Sequence, residues 1–365
     1  MLRFFLLLAA VLSLASFGLA QEGPYKILKT VKAGDNGGFD YLYADSDGRR
    51  LYIPRTDYVL TDSQGRRLKI PGAGPNARIT VYNLDTLEPQ GEIPKTNARG
   101  VAVDSKSHHA FCTSRPVVMW DSRTLAIIKT IEVEGIPDDI LFDPFNQRVW
   151  IFSHSQPNAT ILNANDGSVV GTLDLGGKPE QGVADGRGHV YVDLEDTNRI
   201  AAVDAVALKV TAHYGLAGKG NEPTGLAIDA KHHILFAACR NPQNMVILDA
   251  RDGKIIDALP IGRGTDGAVF NPKTMEAFSS NEDGPFTVIK ENSPTSFRVE
   301  QNLDTRPGEP CGELHPCAKT LTLDTKTNRI FMIAAEFGPM PANAPKTMFR
   351  GPMLPDSVSI LVVGK

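Results

Sequence analysis

Apolar and polar positions along residues 178–264 follow a pattern that occurs twice. The stretches KPEQGVADGRGHVYVDLEDTNRIAAVDAVALKVTAHYGLAGKG (178–220) and NEPTGLAIDAKHHILFAACRNPQNMVILDARDGKIIDALPIGRG (221–264) share one reading. Each is apolar run, Asp, polar turn, apolar run, loop, apolar run, turn, apolar run, Gly. Four short strands with a tight return, repeating at roughly 40–50 residues, signal a propeller. The same unit recurs at 37–96, 98–133, 137–175, 265–303 and 318–364. The last unit has only three strands, and the strand at 25–34 stands alone before the first unit. Pairing the two closes the ring and removes two exposed sheet edges. The expectation is an all-β, seven-bladed β-propeller, with residues 21–365 as one domain.

One marker ends the first strand of each unit: Asp45, Asp104, Asp143, Asp185, Asp229, Asn271 and Asp324. A short polar side chain there can bond the backbone of the following turn, so the marker reads as structural. The second strands carry the tetrads YVDL (191–194), FSSN (278–281), FCTS (111–114), YIPR (52–55) and FAAC (236–239). The first strands carry GVAVD (100–104), GLAID (225–229) and the shortened GVAD (182–185). In these motifs the whole mature chain resembles the YVTN-repeat propellers, and among them the YncE-like periplasmic proteins. The resemblance implies the propeller fold and leaves function open, because propellers of this shape host unrelated activities.

Composition adds the setting. Glycine (33) and proline (25) bound the apolar runs throughout, as an all-β chain with many turns requires. A net charge of −4 with no Lys/Arg run does not suggest nucleic acid as a partner. Arg3 followed by the apolar run 4–17 and Gly18-Leu19-Ala20 reads as a secretory signal peptide over 1–20, too short to span a bilayer. The expected location is periplasmic or secreted, with no membrane span. A closed ring has no edge that demands pairing, so a monomer is expected. Cys112 and Cys239 fall inside apolar strands and read as free core thiols. Cys311 and Cys317 flank a polar loop, and in an exported chain a disulfide is the favoured reading. The alternative is a metal site with His315, but it lacks the paired C-x-x-C spacing.

Three segments depart from the repeat: 56–77, 304–317 and 337–355. The repeat places all three on one face, in neighbouring blades one, six and seven. Long loops on a rigid scaffold are where function is usually carried. Alignment on the marker also exposes two polar rings at that face. Asp40, Arg99, Asp138, Glu180, Thr224, Asp266 and Lys319 begin the innermost strands. Arg55, Arg115, His154, Glu195, Arg240, Asn281 and Glu336 follow the second strands. The plain interpretation is a channel lining that neutralises itself by ion pairs.

Two uses compete if the cup is functional. Asp138, Glu180 and Asp266, helped by Asn281, form an oxygen set suited to a hard cation such as Ca²⁺. Such an ion would polarise a lactone or ester carbonyl, with His154 or Glu195 as candidate general base. Alternatively, Arg99, Arg115, Arg240 and Lys319 suit an anionic small molecule or a partner protein's acidic tail. Met340, Met348, Phe349, Met353 and Leu354 add apolar docking surface in the last insertion. No C-x-x-C-H for haem attachment and no Gly-rich phosphate loop occurs. His108-His109 and His232-His233 fall in turns between first and second strands and read as surface residues. The sequence therefore favours a ligand-binding or interaction module through the insertion-bearing face, with a metal-assisted lactonase or hydrolase as the alternative.

Overall fold

Strands alternating Val, Ile, Leu, Phe and Ala with polar residues, cut every few positions by turn residues, assemble into seven antiparallel four-stranded sheets in a computed structural model. It describes residues 23–34, 37–56, 60–61, 67–68, 77–156, 158–306, 311, 315–340 and 351–365. The signal peptide expected over 1–20 lies outside them. The sheets are the blades of a seven-bladed β-propeller, and no described residue is helical. Accordingly, no helix among the described residues is long and apolar enough to cross a membrane.

The innermost strands are Tyr43–Asp45, Val101–Asp104, Pro137–Asp143, Pro179–Ala184, Pro223–Asp229, Thr265–Asn271 and Lys319–Asp324. Second strands lie between neighbouring blades and are buried almost throughout, as in Ile234–Arg240, whereas outer strands such as Val169–Leu173 face solvent. The core is accordingly a set of apolar layers between blades. Trp150 and Phe152 of blade three pack on Val190, Val192 and Leu194 of blade four. Phe236 stacks on Phe270 across blades five and six at 5.3 Å.

The marker residue behaves as the repeat predicts. Its side-chain oxygen accepts the amide two residues on in every blade: Asp47, Lys106, Phe145, Arg187, Lys231, Lys273 and Lys326, at 2.7–3.1 Å. The turn ends on a left-handed residue, among them Arg49, His108, His233 and Asn328.

Ring closure is also as expected. Lys26–Lys32 pairs antiparallel with Ser359–Gly364 and becomes the outer strand of blade seven. In the first insertion Leu60–Thr61 pairs with Arg67–Leu68, and its turn at Asp62–Gly65 lies outside the described residues. The base of the last insertion is a bridge between Phe337 and Met353, both packed on the core between blades seven and one. Met353 therefore serves local packing. Met348 and Phe349 lie outside the described residues.

Candidate functional site

Five innermost strands slip register near their start, between Pro137 and Ile140, Pro179 and Gly182, Pro223 and Gly225, Thr265 and Ala268, and Lys319 and Leu321. A bulge frees backbone amides from the ladder and re-aims side chains. Short polar side chains take those amides. Asp139 Oδ2 accepts Gly182 N and Asp193 Oδ1 accepts Gln181 N, and in blade two, where the ladder runs without a slip, Thr113 Oγ1 accepts Arg99 N and Gly100 N. Asp139 and Asp193 are buried, and desolvation pushes both carboxyls well above their ordinary value. Gln181 reaches across the channel. Its Oε1 accepts Leu226 N and Ala268 N, and its Nε2 donates to Ala268 O, all at 3.0 Å. Sequence reasoning did not single out these three residues; their signal is a polar residue at an otherwise apolar register.

Above this level the ring residues meet at the channel mouth. Arg99 donates to Asp138 and lies 3.9 Å from Asp40. His154 Nε2 stands 3.1 Å from both Asp138 Oδ2 and Glu180 Oε1. Glu180 shares a hydrogen bond with Glu195, whose other partner is Lys178 at 3.0 Å. Arg240 donates to Asp266 at 2.8 Å, and Lys319 lies 2.7 Å from the other oxygen of Asp266. Lys319 also acts on Asp40, and Arg240 on Glu180. Around the mouth the signs alternate: Lys319, Asp40, Arg99, Asp138, His154, Glu180, Arg240, Asp266. Seven blades give eight alternating charges because blade three contributes both Asp138 and His154. The pattern closes only with His154 protonated.

The electrostatics support the proton on His154, while burial leaves Asp40 and Glu180 only partly ionised near neutral pH. Burial lowers the affinity of His154 for its proton, but its bonds to Asp138 and Glu180 outweigh this and raise its pKa to about 9. Burial pushes Glu180 up to about 7 against the pull of His154, and the bond from Glu180 holds Glu195 down at about 2. Asp40 is raised to about 7, again by burial, against the attraction of Lys319. Asp266 stays below its ordinary value because Lys319 and Arg240 together outweigh its burial.

The second predicted ring divides. His154, Glu195 and Arg240 join the mouth. Arg55 is buried and donates to Gly34 O, and Arg115 is exposed and donates to Gly135 O. Asn281 holds its own loop through Ser279 O, Pro285 O and Thr287 Oγ1, and Glu336 faces Arg306 at 3.6 Å. Thr224 is buried and donates to Thr265 O. Asp266, placed by sequence among cation ligands, is instead bracketed by two cationic side chains. The set that converges is Asp138, His154 and Glu180, with ligand atoms within 4.8 Å of one another. An imidazole among two carboxylates suits a borderline ion such as Zn²⁺ better than Ca²⁺.

Beyond Gln181 the channel widens toward the opposite face into a cavity of about 420 Å³. Tyr43, Val183, Ile228, Val269, Phe270 and Leu323 line it, with Asp45, Asp47 and Ser105 at the rim. Cys311 and Cys317 stand at disulfide distance, Cα–Cα 5.2 Å, while His315 contacts Arg306; Cys112 and Cys239 are free and buried.

A scan against protein-family models finds none that matches the chain, and a search of curated proteins finds no match. Fold and site together define a seven-bladed β-propeller with a ring of paired acidic and basic side chains at one channel mouth.

Proposed function

We propose that this chain is an exported, YncE-like propeller that acts as a ligand-binding or protein-interaction module through its insertion-bearing face. The observation that carries the reading is the charge ring. Its groups are held in fixed pairs before any ligand arrives, so a polar ligand meets donors and acceptors that need no reorganisation. Connections between second and third strands, and between blades, leave the sheets at the end where the innermost strands begin. The three insertions therefore leave the sheets at that same end.

The test is site-specific photocrosslinking in the exported fraction, with the probe at Arg115 on the insertion-bearing face or at Val206 on the other. Both positions are exposed. Adducts formed from position 115 and not from 206 support the reading, and the reverse overturns it.

A second reading is favoured by the convergence of Asp138, His154 and Glu180: a divalent ion there, assisting hydrolysis of a lactone or ester. Of the two sequence candidates for general base, Glu195 is too weakly basic and His154 already holds its proton at neutral pH. With His154 and Glu180 taken up as ligands, neither is free to act as the base, and a water on the ion would be the nucleophile. Elemental analysis of chelator-free protein, with Asp138→Asn and Glu180→Gln as controls, tests this reading. Absence of a bound ion, with no thermal stabilisation on adding metals, sinks it.

A further inference from the structure

On the face opposite the charge ring, the seam between neighbouring blades follows a rule. A side chain near the turn of one blade donates to a backbone carbonyl of the next, at the end of its third strand or the hairpin beyond. Arg50 donates to Ser122 O, His109 Nδ1 meets Ala164 O at 2.9 Å, and Asn146 donates to Ala205 O at 3.0 Å. The residue at this seam position is recognised by its own amide, which donates to the carbonyl of the left-handed turn residue. It is Leu84, Ser122, Ala164, Ala205 and Ala250 in blades one to five, and Glu291 in blade six.

Glu291 thus puts a carboxylate where the repeat uses small or apolar residues, and it is 2% exposed. It faces Asp229, also 2% exposed, and His232 of blade five. His232 Nδ1 lies 2.9 Å from Glu291 Oε1 and 2.6 Å from Asp229 Oδ2. One imidazole nitrogen carries at most one hydrogen, so it cannot serve both carboxylates. Glu291 Oε2 is buried with no hydrogen-bond partner among the described residues, and Asp229 Oδ2, also buried, has only the imidazole nitrogen that already faces Glu291. Unpaired carboxylate oxygens away from water are costly. The three ligand atoms lie within 4.8 Å of one another, and the imidazole edge is partly open to solvent, which leaves an entry path.

We propose that Asp229, His232 and Glu291 form a divalent-cation site for an ion of the Zn²⁺ or Mn²⁺ class, which staples blade five to blade six. The ion satisfies both carboxylates at once and takes the imidazole nitrogen as a neutral ligand, releasing protons as it binds. Two carboxylates with one imidazole is a familiar donor set for such ions, with water completing the shell. The site is separate from the channel mouth and does not depend on the function proposed for it.

Zn²⁺ and Mn²⁺ are each titrated into chelator-stripped protein, followed by calorimetry, by retained metal after dialysis, and by thermal midpoint. The wild type and the channel-mouth variant Glu180→Gln are expected to keep one equivalent and to gain several degrees. Glu291→Gln removes a buried charge at nearly constant volume, so it should fold. It and His232→Ala are expected to weaken binding by at least ~100-fold, since loss of a group that merely orients a ligand already costs about 10–100-fold. No retained metal in the wild type means a shared proton holds the cluster, and overturns the assignment. So does an equivalent lost in Glu180→Gln and kept in Glu291→Gln.

Discussion

Tyr25 and Lys365, from opposite ends of the described chain, meet on one carboxylate. The Tyr25 hydroxyl donates to Glu276 Oε2, Lys365 Nζ donates to Glu276 Oε1 at 2.8 Å, and the ammonium lies 4.9 Å from the Tyr25 ring centroid. Gln301 clamps the Tyr25 backbone from both sides, accepting its amide and donating to its carbonyl. Glu276 and Gln301 belong to blade six. The ends are thus paired with each other in blade seven and pinned to the neighbouring blade.

Tyr25→Phe keeps the ring on Phe278 and removes only the hydroxyl. It is expected to lower unfolding free energy by about 1.5–3 kcal/mol, the range for a hydrogen bond to a charged group. Urea titration measures this. Tyr25→Phe combined with Lys365→Ala should cost less than the sum, because both act on Glu276. Strict additivity would mean the latch is not a unit.

Acid should open the latch. Burial alone would raise Glu276, but hydrogen bonds from Glu300, Lys365, Thr274 and Tyr25 hold it down at about 2. A carboxylate below its ordinary value binds fewer protons folded than unfolded. Its contribution is complete above about pH 4.5 and is lost as the pH falls through about 2. Glu300, raised mainly by burial and then by Glu276, works in the opposite sense. Glu276→Gln should flatten the acid limb of stability against pH, and an unchanged limb would rule the latch out as its source.

His154 should be worth more than one contact. His154→Ala removes the imidazole between Asp138 and Glu180 and leaves Asp138 to Arg99 alone, and a cost of up to about 3–5 kcal/mol is expected for such a broken buried pair. Adding Glu180→Gln should restore part of the loss. A double variant no more stable than His154→Ala would show that the alternating ring is not what holds His154.

Two glycines separate packing from flexibility. A Cβ at Gly225 would lie 2.7 Å from Gly267 C and 2.8 Å from Ala268 N, backbone of the next innermost strand that cannot swing aside. Gly225→Ala is expected to cost about 1–3 kcal/mol or more. A Cβ at Gly215 meets nothing within 4 Å, so Gly215→Ala should be neutral or stabilise by about 0.4–1 kcal/mol. Thermal denaturation of both variants checks the contrast.

The fold was legible because each blade restates the same local chemistry. The marker Asp sits where an acceptor must take the amides of a turn, and strand polarity reports which face touches a neighbouring blade. Ring positions such as Asp40, Asp138 and Lys319 followed from counting back from that marker. The pairing of those charges did not follow, because bulges re-aim the side chains and the apolar pattern does not report a bulge. Arg55 and Asn281 share a register position with His154, yet Arg55 turns to Gly34 after the closing strand and Asn281 into its own loop, which only three-dimensional packing decides. His232 read as a surface turn residue because its partner, Glu291, lies 59 positions away in the next blade. Comparing Glu291 with Ala164, Ala205 and Ala250 would have marked it.

Closure by Lys26–Lys32 has a consequence for how the molecule comes into being. Synthesis runs from one end, whereas the last blade needs both. The first strand emerges early and waits, its edge unpaired, until Ser359–Gly364 arrives. A nascent or truncated chain short of that segment is an open arc with two sticky rims, prone to borrow a strand from another copy. Arrival of Ser359–Gly364 is what seals the circle.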